Sequence, residues 1–192
     1  MVRKLTIYHV LEPFLSRPYD KLHLADISRE IKEPHPTARQ WLNALEKKGV
    51  LVKGHQGRLT LYFLNLENPN IIDHLAISEK NKLIKECEKL VVLGELIGYI
   101  HKTLNENAKA LIFGSAAQSF NAANDVDLLI AGKTDTKSIQ GFAKRLNKEI
   151  HIIQVSNLEK VSRALKNEII KKHLLINGSE DFVRWMIWQQ MR

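Results

Sequence analysis

Three short apolar runs in the second half of the chain constrain its fold more than any other feature. They read KALIF, DVDLLIA and EIHIIQV, and they begin at Lys109, Asp125 and Glu149. Each has the length of a strand and is bounded by glycine or polar residues, which predicts a β-strand. We therefore expect residues 107–192 to form an α/β domain, a mixed sheet with flanking helices.

A helical segment is predicted before this domain, at residues 67–106, after the boundary marked by NLENPN. Apolar residues recur there at helical spacing, namely at Leu83, Leu90, Leu93, Ile97 and Ile100. Gly94 and Gly98 weaken the prediction of one uninterrupted helix. His74 and His101 have no second ligand near them in the sequence, so we interpret both as structural.

The first third of the chain, residues 1–66, has the pattern of two helices followed by a hairpin. LADISREI places Leu24, Ile27 and Ile31 on one helical face, and the prolines of KEPHP end that helix. We expect Thr37 to cap a second helix, ARQWLNALEKK. Two strands, VLVKG and RLTLYFLN, then follow around the glycine-bounded turn GHQG.

This order of elements resembles the winged helix-turn-helix DNA-binding domain over residues 3–66. The resemblance implies that the second helix enters the major groove, where arginine suits guanine and amide side chains suit adenine. It also implies phosphate contacts from the hairpin. The implied base-reading residues are Thr37, Arg39, Gln40 and Asn43, and the implied hairpin contacts are Lys53, His55, Gln56 and Arg58. A winged helix used for protein contacts is the alternative.

The charge distribution agrees with a nucleic-acid partner. The whole chain carries a net charge of +8, and residues 1–66 hold 11 Lys and Arg against 6 Asp and Glu. A basic segment of this kind is typical of a phosphate-binding surface. No apolar run is long enough to cross a bilayer, so we expect no membrane association. The single cysteine, Cys87, favours a cytoplasmic protein.

Asp125 and Asp127 are the strongest candidates for a chemical role. Residues two apart on a strand point to the same face, so the two carboxylates repel each other. A Mg²⁺ ion, bound by their oxygens, would offset this repulsion and bridge nucleotide phosphates. The simpler alternative is that NAAND is a turn that Asp125 caps.

The stretch FGSAAQSFNAANDVDLL resembles the signature of nucleotidyltransferases of the DNA polymerase β superfamily. The closest likeness is to the minimal nucleotidyltransferases of archaea and bacteria, some joined to a winged helix, and it covers residues 107–156. Members transfer a nucleoside monophosphate from a nucleoside triphosphate to a hydroxyl. The resemblance implies that Gly114 and Ser115 bind phosphates, that Asp125 and Asp127 bind Mg²⁺ or Mn²⁺, and that the nucleotide is ATP. KKHLLINGSEDFVRWMIW is similar to the C-terminal helix of the winged-helix members.

The chain departs from the family pattern around these residues. Gln118 and Ser119 stand where members often have arginine and glycine, and Asn124 stands where they often have serine. A third carboxylate is expected on the strand EIHIIQV, at the position of His151. Glu149 lies two residues earlier on the same face and is the candidate for the third catalytic acid. His151 is then either a metal ligand or an ordinary polar residue at a strand edge.

The sequence supports two functions of different classes. The first is a metal-dependent nucleotidyltransferase with a DNA-binding winged helix and a protein or RNA acceptor, including an antitoxin that adds AMP to a separate toxin chain. The second is a transcriptional regulator whose nucleotidyltransferase fold senses a nucleotide, or serves as a scaffold, without catalysis. Phe182, Trp185 and Trp188 have helical spacing and are interpreted as core or homodimer contacts.

Overall fold

The computed structural model describes residues 7–188, so the first six and last four residues of the predicted domains lie outside the described range. The chain divides into two compact units, with the boundary along the chain between Asn81 and Lys82. Each unit contains helices and one sheet, so the protein is of the mixed α/β class. The boundary falls inside the predicted helical spacer, whose residues are therefore divided between the two units.

The first described element of the first unit is a short 3-10 helix, Ile7–Leu11, and the unit contains a small antiparallel sheet in the strand order β1-β3-β2. Its further elements are α1 (Glu12–Leu15), β1 (Leu22–His23), α2 (Leu24–Ile31), α3 (His35–Lys47), β2 (Leu51–Gln56), β3 (Leu59–Leu64) and the first part of α4 (Ile71–Lys89).

Helix α2 matches its prediction, whereas α3 begins earlier than predicted. Leu24, Ile27 and Ile31 are buried, as the helical spacing requires. Helix α3 begins at His35, directly after Pro34, and Pro36 lies in its first turn. Proline is tolerated there because the first amides of a helix have no intrahelical acceptor. The prediction that Thr37 caps this helix is therefore wrong, and Thr37 is a residue of the helix itself.

The hairpin turn also differs from its prediction. Strand β2 continues through Gln56, so Gly54, His55 and Gln56 pair with β3 instead of forming a turn. The connection is the two-residue turn Gly57–Arg58, in which Gly57 has a φ of +59°. Two-residue hairpin turns favour glycine because they require positive φ. Lys53 therefore lies on a strand and Arg58 lies at the turn.

The second unit contains a four-stranded sheet in the order β6-β5-β4-β7. Strand β5 is parallel to β6, whereas β4 is antiparallel to both β5 and β7. Its elements are α5 (Val91–Thr103), β4 (Lys109–Phe113), α6 (Gly114–Gln118), β5 (Asp125–Ala131), α7 (Thr136–Arg145), β6 (Glu149–Val155), the 3-10 helix Leu158–Lys160, α8 (Arg163–Lys171), β7 (His173–Asn177) and α9 (Ser179–Trp188).

Helix α5 packs on one face of this sheet. Its buried side chains join alternate residues of the strands in one apolar cluster, which includes Leu93, Leu96, Ile97, Ile100, Ala110, Ile112, Leu128 and Ile130. Helices α4 and α5 are separated at Leu90, whose backbone is extended with φ −130° and ψ 97°. The break therefore lies before Gly94 and Gly98, and both glycines are helical residues.

The C-terminal segment is a strand followed by a helix, whereas the resemblance predicted a helix alone. His173–Asn177 forms β7, and its residues Leu174, Leu175 and Ile176 are buried. A continuous apolar run suits a strand that is covered on both faces, and such a run has no period that separates strand from helix. Phe182 and Trp185 are buried on α9, in agreement with a core role, while Trp188 is 45% exposed.

No helix within residues 7–188 combines the length and apolar character that crossing a membrane requires.

Candidate functional site

The predicted site residues of the second unit meet at one end of its sheet. Because β5 and β6 are parallel, their first residues lie side by side, and Asp125 pairs with Glu149 while Asp127 pairs with His151. On the other side of β5, Asp127 pairs with Phe113, the last residue of the antiparallel strand β4. The step from Gly114 to Ser115 therefore follows directly beside Asp127.

Gly114 allows this close approach between the turn and the carboxylate. Its φ is +71°, a conformation that residues with a Cβ rarely adopt. A Cβ added there would lie 2.8 Å from Oδ2 of Asp127. The glycine of the predicted signature is thus required by both the backbone conformation and the position of the aspartate.

His151 lies across from both aspartates. Its Nδ1 atom is 3.4 Å from Oδ2 of Asp125 and 3.7 Å from Oδ1 of Asp127. One ligand atom from each of the three side chains lies within 4.8 Å of the other two. These three side chains are 34–56% exposed, so a ligand can reach them from solvent. We call Asp125, Asp127 and His151 the sheet-end cluster.

Glu149 lies beside this cluster rather than within it. Its Oε1 atom is 3.8 Å from Nε2 of His151, the ring nitrogen that faces away from the aspartates, and its side chain is 76% exposed. The structure therefore brings His151, rather than Glu149, to the two aspartates.

The donor set of the sheet-end cluster fits a divalent cation. Carboxylate oxygens and an imidazole nitrogen are all common ligands of divalent metals. The three donors come from two hydrogen-bonded strands, which hold them in place without a flexible loop.

The loop between α6 and β5 is held by a residue that the sequence analysis did not single out. Nζ of Lys148 donates hydrogen bonds to the carbonyl oxygens of Phe120, at 2.9 Å, and Ala123, at 2.7 Å. The same ammonium lies 5.0 Å from the centre of the Phe120 ring. The only sequence signal for this contact is a lysine directly before β6.

The residues that depart from the family pattern lie in this loop or directly before it. All three are exposed, namely Gln118, Ser119 and Asn124.

The second predicted surface lies on the first unit, along the exposed side of α3. Arg39 and Gln40 are exposed there, and Thr37 is half-buried. Arg39 and Gln40 lie in a shallow depression of about 440 Å³, which is lined by His35, Pro36, Arg39, Gln40 and Asn43. Lys53 and Arg58 are exposed on the hairpin, as are His55 and Gln56.

Asn43 has a structural partner that the sequence did not predict. Its Oδ1 atom accepts a hydrogen bond from the hydroxyl of Tyr62 on β3, at 3.2 Å. Burial raises the pKa of Tyr62, while the nearby positive charge of Arg39 acts in the opposite direction. The amide of Asn43 thus links the helix to the hairpin, whereas Arg39 and Gln40 are exposed on this face.

Comparison with known proteins gives little beyond this geometry. No protein family model matches the chain, and no curated protein matches it. Among solved structures, TrmBL2, described as an archaeal chromatin protein with a novel mode of DNA binding, is similar at 17% sequence identity. The match covers 85% of this chain and 69% of that one, with a TM-score of 0.28. A TM-score this low does not establish a shared fold.

The two histidines of the predicted spacer stand apart from the sheet-end cluster. Nδ1 of His74 is 3.1 Å from the hydroxyl of Tyr8, and the two rings are stacked 5.7 Å apart. Burial, with a contribution from Lys48, lowers the pKa of His74. Within residues 7–188, the sheet-end cluster is the only group of three or more His, Cys, Asp and Glu with metal-binding geometry, and it contains neither His74 nor His101.

Proposed function

We propose that this chain is a DNA-binding protein whose second unit is nucleotidyltransferase-like and binds a nucleoside triphosphate through a divalent cation. The single observation that supports the nucleotide site best is the meeting of Asp125, Asp127 and His151 beside the Gly114 turn. The glycine turn and the paired acids lie together at one end of the sheet. The chemistry that uses these groups together is the binding of a metal–phosphate complex.

Each residue of the site has a distinct proposed role. Asp125 and Asp127 supply carboxylate oxygens to Mg²⁺ or Mn²⁺. The exposed hydroxyl of Ser115 and the backbone at Gly114 bind phosphate oxygens, because the lack of a side chain at Gly114 lets the phosphates come close. When bound, the cation would offset the negative charge of the triphosphate and the charge that develops during displacement.

The reaction proposed for this site is transfer of a nucleoside monophosphate, with ATP as the expected donor. A hydroxyl oxygen of the acceptor forms a bond to the α-phosphorus while the bond from that phosphorus to the bridging oxygen breaks. Diphosphate leaves, and the hydroxyl proton passes to solvent water. A protein or RNA supplies the hydroxyl, and a toxin chain is one such acceptor.

The first unit supports the proposal of a winged helix that binds duplex DNA. Arg39 and Gln40 project from the exposed side of α3, where a recognition helix presents its base-reading residues. Lys53 and Arg58 add positive charge on the hairpin, which is where a wing contacts phosphates. Thr37 lies in the first turns of the same helix. Asn43 is proposed to position the hairpin instead of reading bases.

A second candidate function is a transcriptional regulator that binds the nucleotide without transferring it. The exposed loop favours this alternative, because Gln118 and Ser119 replace an arginine that would contact phosphate and a glycine that would keep the loop flexible. His151 also favours the regulator, since a histidine stands where the family pattern has a third carboxylate. In this form the nucleotide would act as a signal that changes DNA binding.

One experiment separates the two functions. The full chain is incubated with each nucleoside triphosphate labelled at the α-phosphate, with Mg²⁺ or Mn²⁺, and with a mixture of cellular protein and RNA. Transfer of label by the wild type but not by Asp127→Asn supports the transferase. Glu106→Gln is a matched control, because it makes the same change at an exposed acid outside the cluster. Nucleotide binding without transfer supports the regulator, and absence of both contradicts the proposal.

A further inference from the structure

We infer that His151 is the third ligand of this cation, and that it makes the site selective for a first-row transition metal over Mg²⁺. This inference rests on the proposed function, since it concerns the same cation. It adds a ligand, a metal class and a role for Glu149. The starting observation is that a nitrogen donor, and not a third carboxylate, faces the two aspartates.

The position of His151 supports direct ligation. It is the parallel partner of Asp127 on the neighbouring strand, so the sheet itself sets the spacing between the two side chains. Its Nδ1 atom lies 3.4 Å from an oxygen of Asp125 and 3.7 Å from an oxygen of Asp127. These distances are too long for good hydrogen bonds. Donor atoms around one metal ion lie at such separations, because each is about 2.0–2.2 Å from the ion.

Glu149 supplies a second observation that points to a ligating histidine. A metal-bound imidazole commonly donates its other N–H to a carboxylate, which fixes the tautomer and the ring orientation. Nε2 of His151 faces Oε1 of Glu149 at 3.8 Å. The Glu149 side chain is 76% exposed and can rotate the short distance needed for a hydrogen bond. We therefore assign Glu149 as a positioning residue that acts through His151.

The chemistry of the donor set then determines the class of metal. Mg²⁺ prefers oxygen ligands and gives up its water reluctantly, so an imidazole adds little to its binding. Mn²⁺, Co²⁺ and Zn²⁺ accept imidazole nitrogen together with carboxylate oxygen, with affinities that rise along the series. Two carboxylates with one imidazole therefore favour these ions over Mg²⁺. Mn²⁺ is the most useful probe, because it retains octahedral coordination and is paramagnetic.

The test uses the full chain without a purification tag, stripped of metal by a chelator. Calorimetric titration compares its affinities for Mn²⁺ and Mg²⁺, and electron spin echo measurements on bound Mn²⁺ detect a directly bonded ¹⁴N nucleus. We expect tighter binding of Mn²⁺ than of Mg²⁺, and a ¹⁴N signal. His151→Asp should lose that signal and shift the preference towards Mg²⁺, because three carboxylates then face the ion.

Matched variants locate the effect. His101→Asn, at an exposed histidine on α5, should leave the ¹⁴N signal and both affinities unchanged. Glu149→Gln should keep the ¹⁴N signal but weaken Mn²⁺ binding by on the order of tenfold, as loss of an outer partner does. Because His151 is exposed, we expect its variants to remain folded, and circular dichroism checks that they do.

The outcomes separate this inference from the proposed function. Mn²⁺ that binds the wild type without a ¹⁴N signal, and is lost in Asp127→Asn, would overturn the role of His151 while the aspartate site stands. An unchanged metal preference in His151→Asp would overturn the selectivity. No binding of Mn²⁺ or Mg²⁺ to the wild type, with or without nucleotide, would contradict both the inference and the proposed function.

Discussion

Lys148 holds the loop before β5 in place by donating a hydrogen bond to the carbonyl oxygen of Ala123, at 2.7 Å. A second bond, to Phe120, fixes the other end of the same short segment. Asp125 follows this loop directly along the chain. The position of Asp125 therefore depends on Lys148, which directly precedes β6, as well as on the pairing of β5 in the sheet.

Replacement of Lys148 by methionine should destabilise the protein and weaken metal binding together. The variant loses both hydrogen bonds and the cation–π contact with Phe120, and hydrogen bonds from a charged donor contribute about 1.5–3 kcal/mol each. Urea denaturation would measure the loss in the free energy of unfolding, and Mn²⁺ titration would measure the effect on the cluster. Lys144→Met, at an exposed position on α7, should change neither quantity. Equal behaviour of the two variants would show that the loop does not depend on Lys148.

Gly114→Ala and Gly141→Ala should have effects of opposite sign. At Gly114 the alanine would adopt an unfavourable positive φ and crowd Asp127, so we expect a loss of about 1–3 kcal/mol. At Gly141, a helical residue of α7 where the added Cβ meets nothing within 4 Å beyond the helix's own backbone, we expect a gain of about 0.5–1 kcal/mol. Thermal or urea unfolding checks both. A neutral Gly114→Ala variant would contradict the close packing at the turn.

Asp127→Asn should make the metal-free protein slightly more stable. The substitution removes the repulsion between two partly exposed carboxylates, which is worth less than about 1 kcal/mol at such exposure. Mn²⁺ with nucleotide should reverse the order, since ligand at about 100 times its Kd stabilises the wild type by about 2.7 kcal/mol and the variant much less. Melting temperatures with and without metal and nucleotide test both statements. If neither metal nor nucleotide changes the melting temperature of the wild type, the proposed site is wrong.

Arg39→Ala and Arg58→Ala should weaken DNA binding in different ways. Loss of Arg39, on the proposed recognition helix, should relax the sequence preference by about 1–3 kcal/mol at one base pair. Loss of Arg58, on the hairpin, should weaken binding to all sequences alike. It should also reduce the slope of log affinity against log salt concentration by about 1, the amount expected for one lost phosphate contact. Fluorescence anisotropy with several duplexes across a range of KCl concentrations measures both effects. Lys102→Ala, on α5 of the second unit, is the control, and wild-type binding that is absent or insensitive to salt would refute the DNA surface.

Asn43→Ala should lower stability without changing which DNA sequence is preferred. The variant leaves the Tyr62 hydroxyl without its amide acceptor, a loss of about 1 kcal/mol. Tyr62→Phe removes the other partner and should cost a similar amount, and the double variant should cost little more than either one. If Asn43→Ala changes the base preference and Tyr62→Phe does not, Asn43 contacts bases directly.

The local elements of the fold were predictable from the sequence because their signals are local. The strands that contain Ile112, Leu128 and Ile152 follow from short apolar runs, and α2 follows from the spacing of its buried residues. The start of α3 was missed because a proline ends one helix but is also accepted in the first turn of the next. Strand β7 was missed because HLLIN has no period, and only its pairing with β4 determines its conformation.

The candidate site was only partly predictable for a similar reason. The same-face geometry of Asp125 and Asp127 follows from strand alternation alone. The partner across from them depends on the register between β5 and β6, which pairs His151 with Asp127 and leaves Glu149 further out. Register is a property of two segments far apart in sequence. The contact of Lys148 with the loop is likewise invisible without the tertiary structure.

The pairing of β4 with β7 also governs the order in which the second unit can be assembled. During synthesis, β4 leaves the ribosome well before β7, and its buried residues Leu111 and Ile112 belong to a strand that then has an open edge. An open apolar edge invites pairing with other chains. Translation that stops before His173 should therefore yield an aggregation-prone product, even though such a product would contain every residue of the sheet-end cluster.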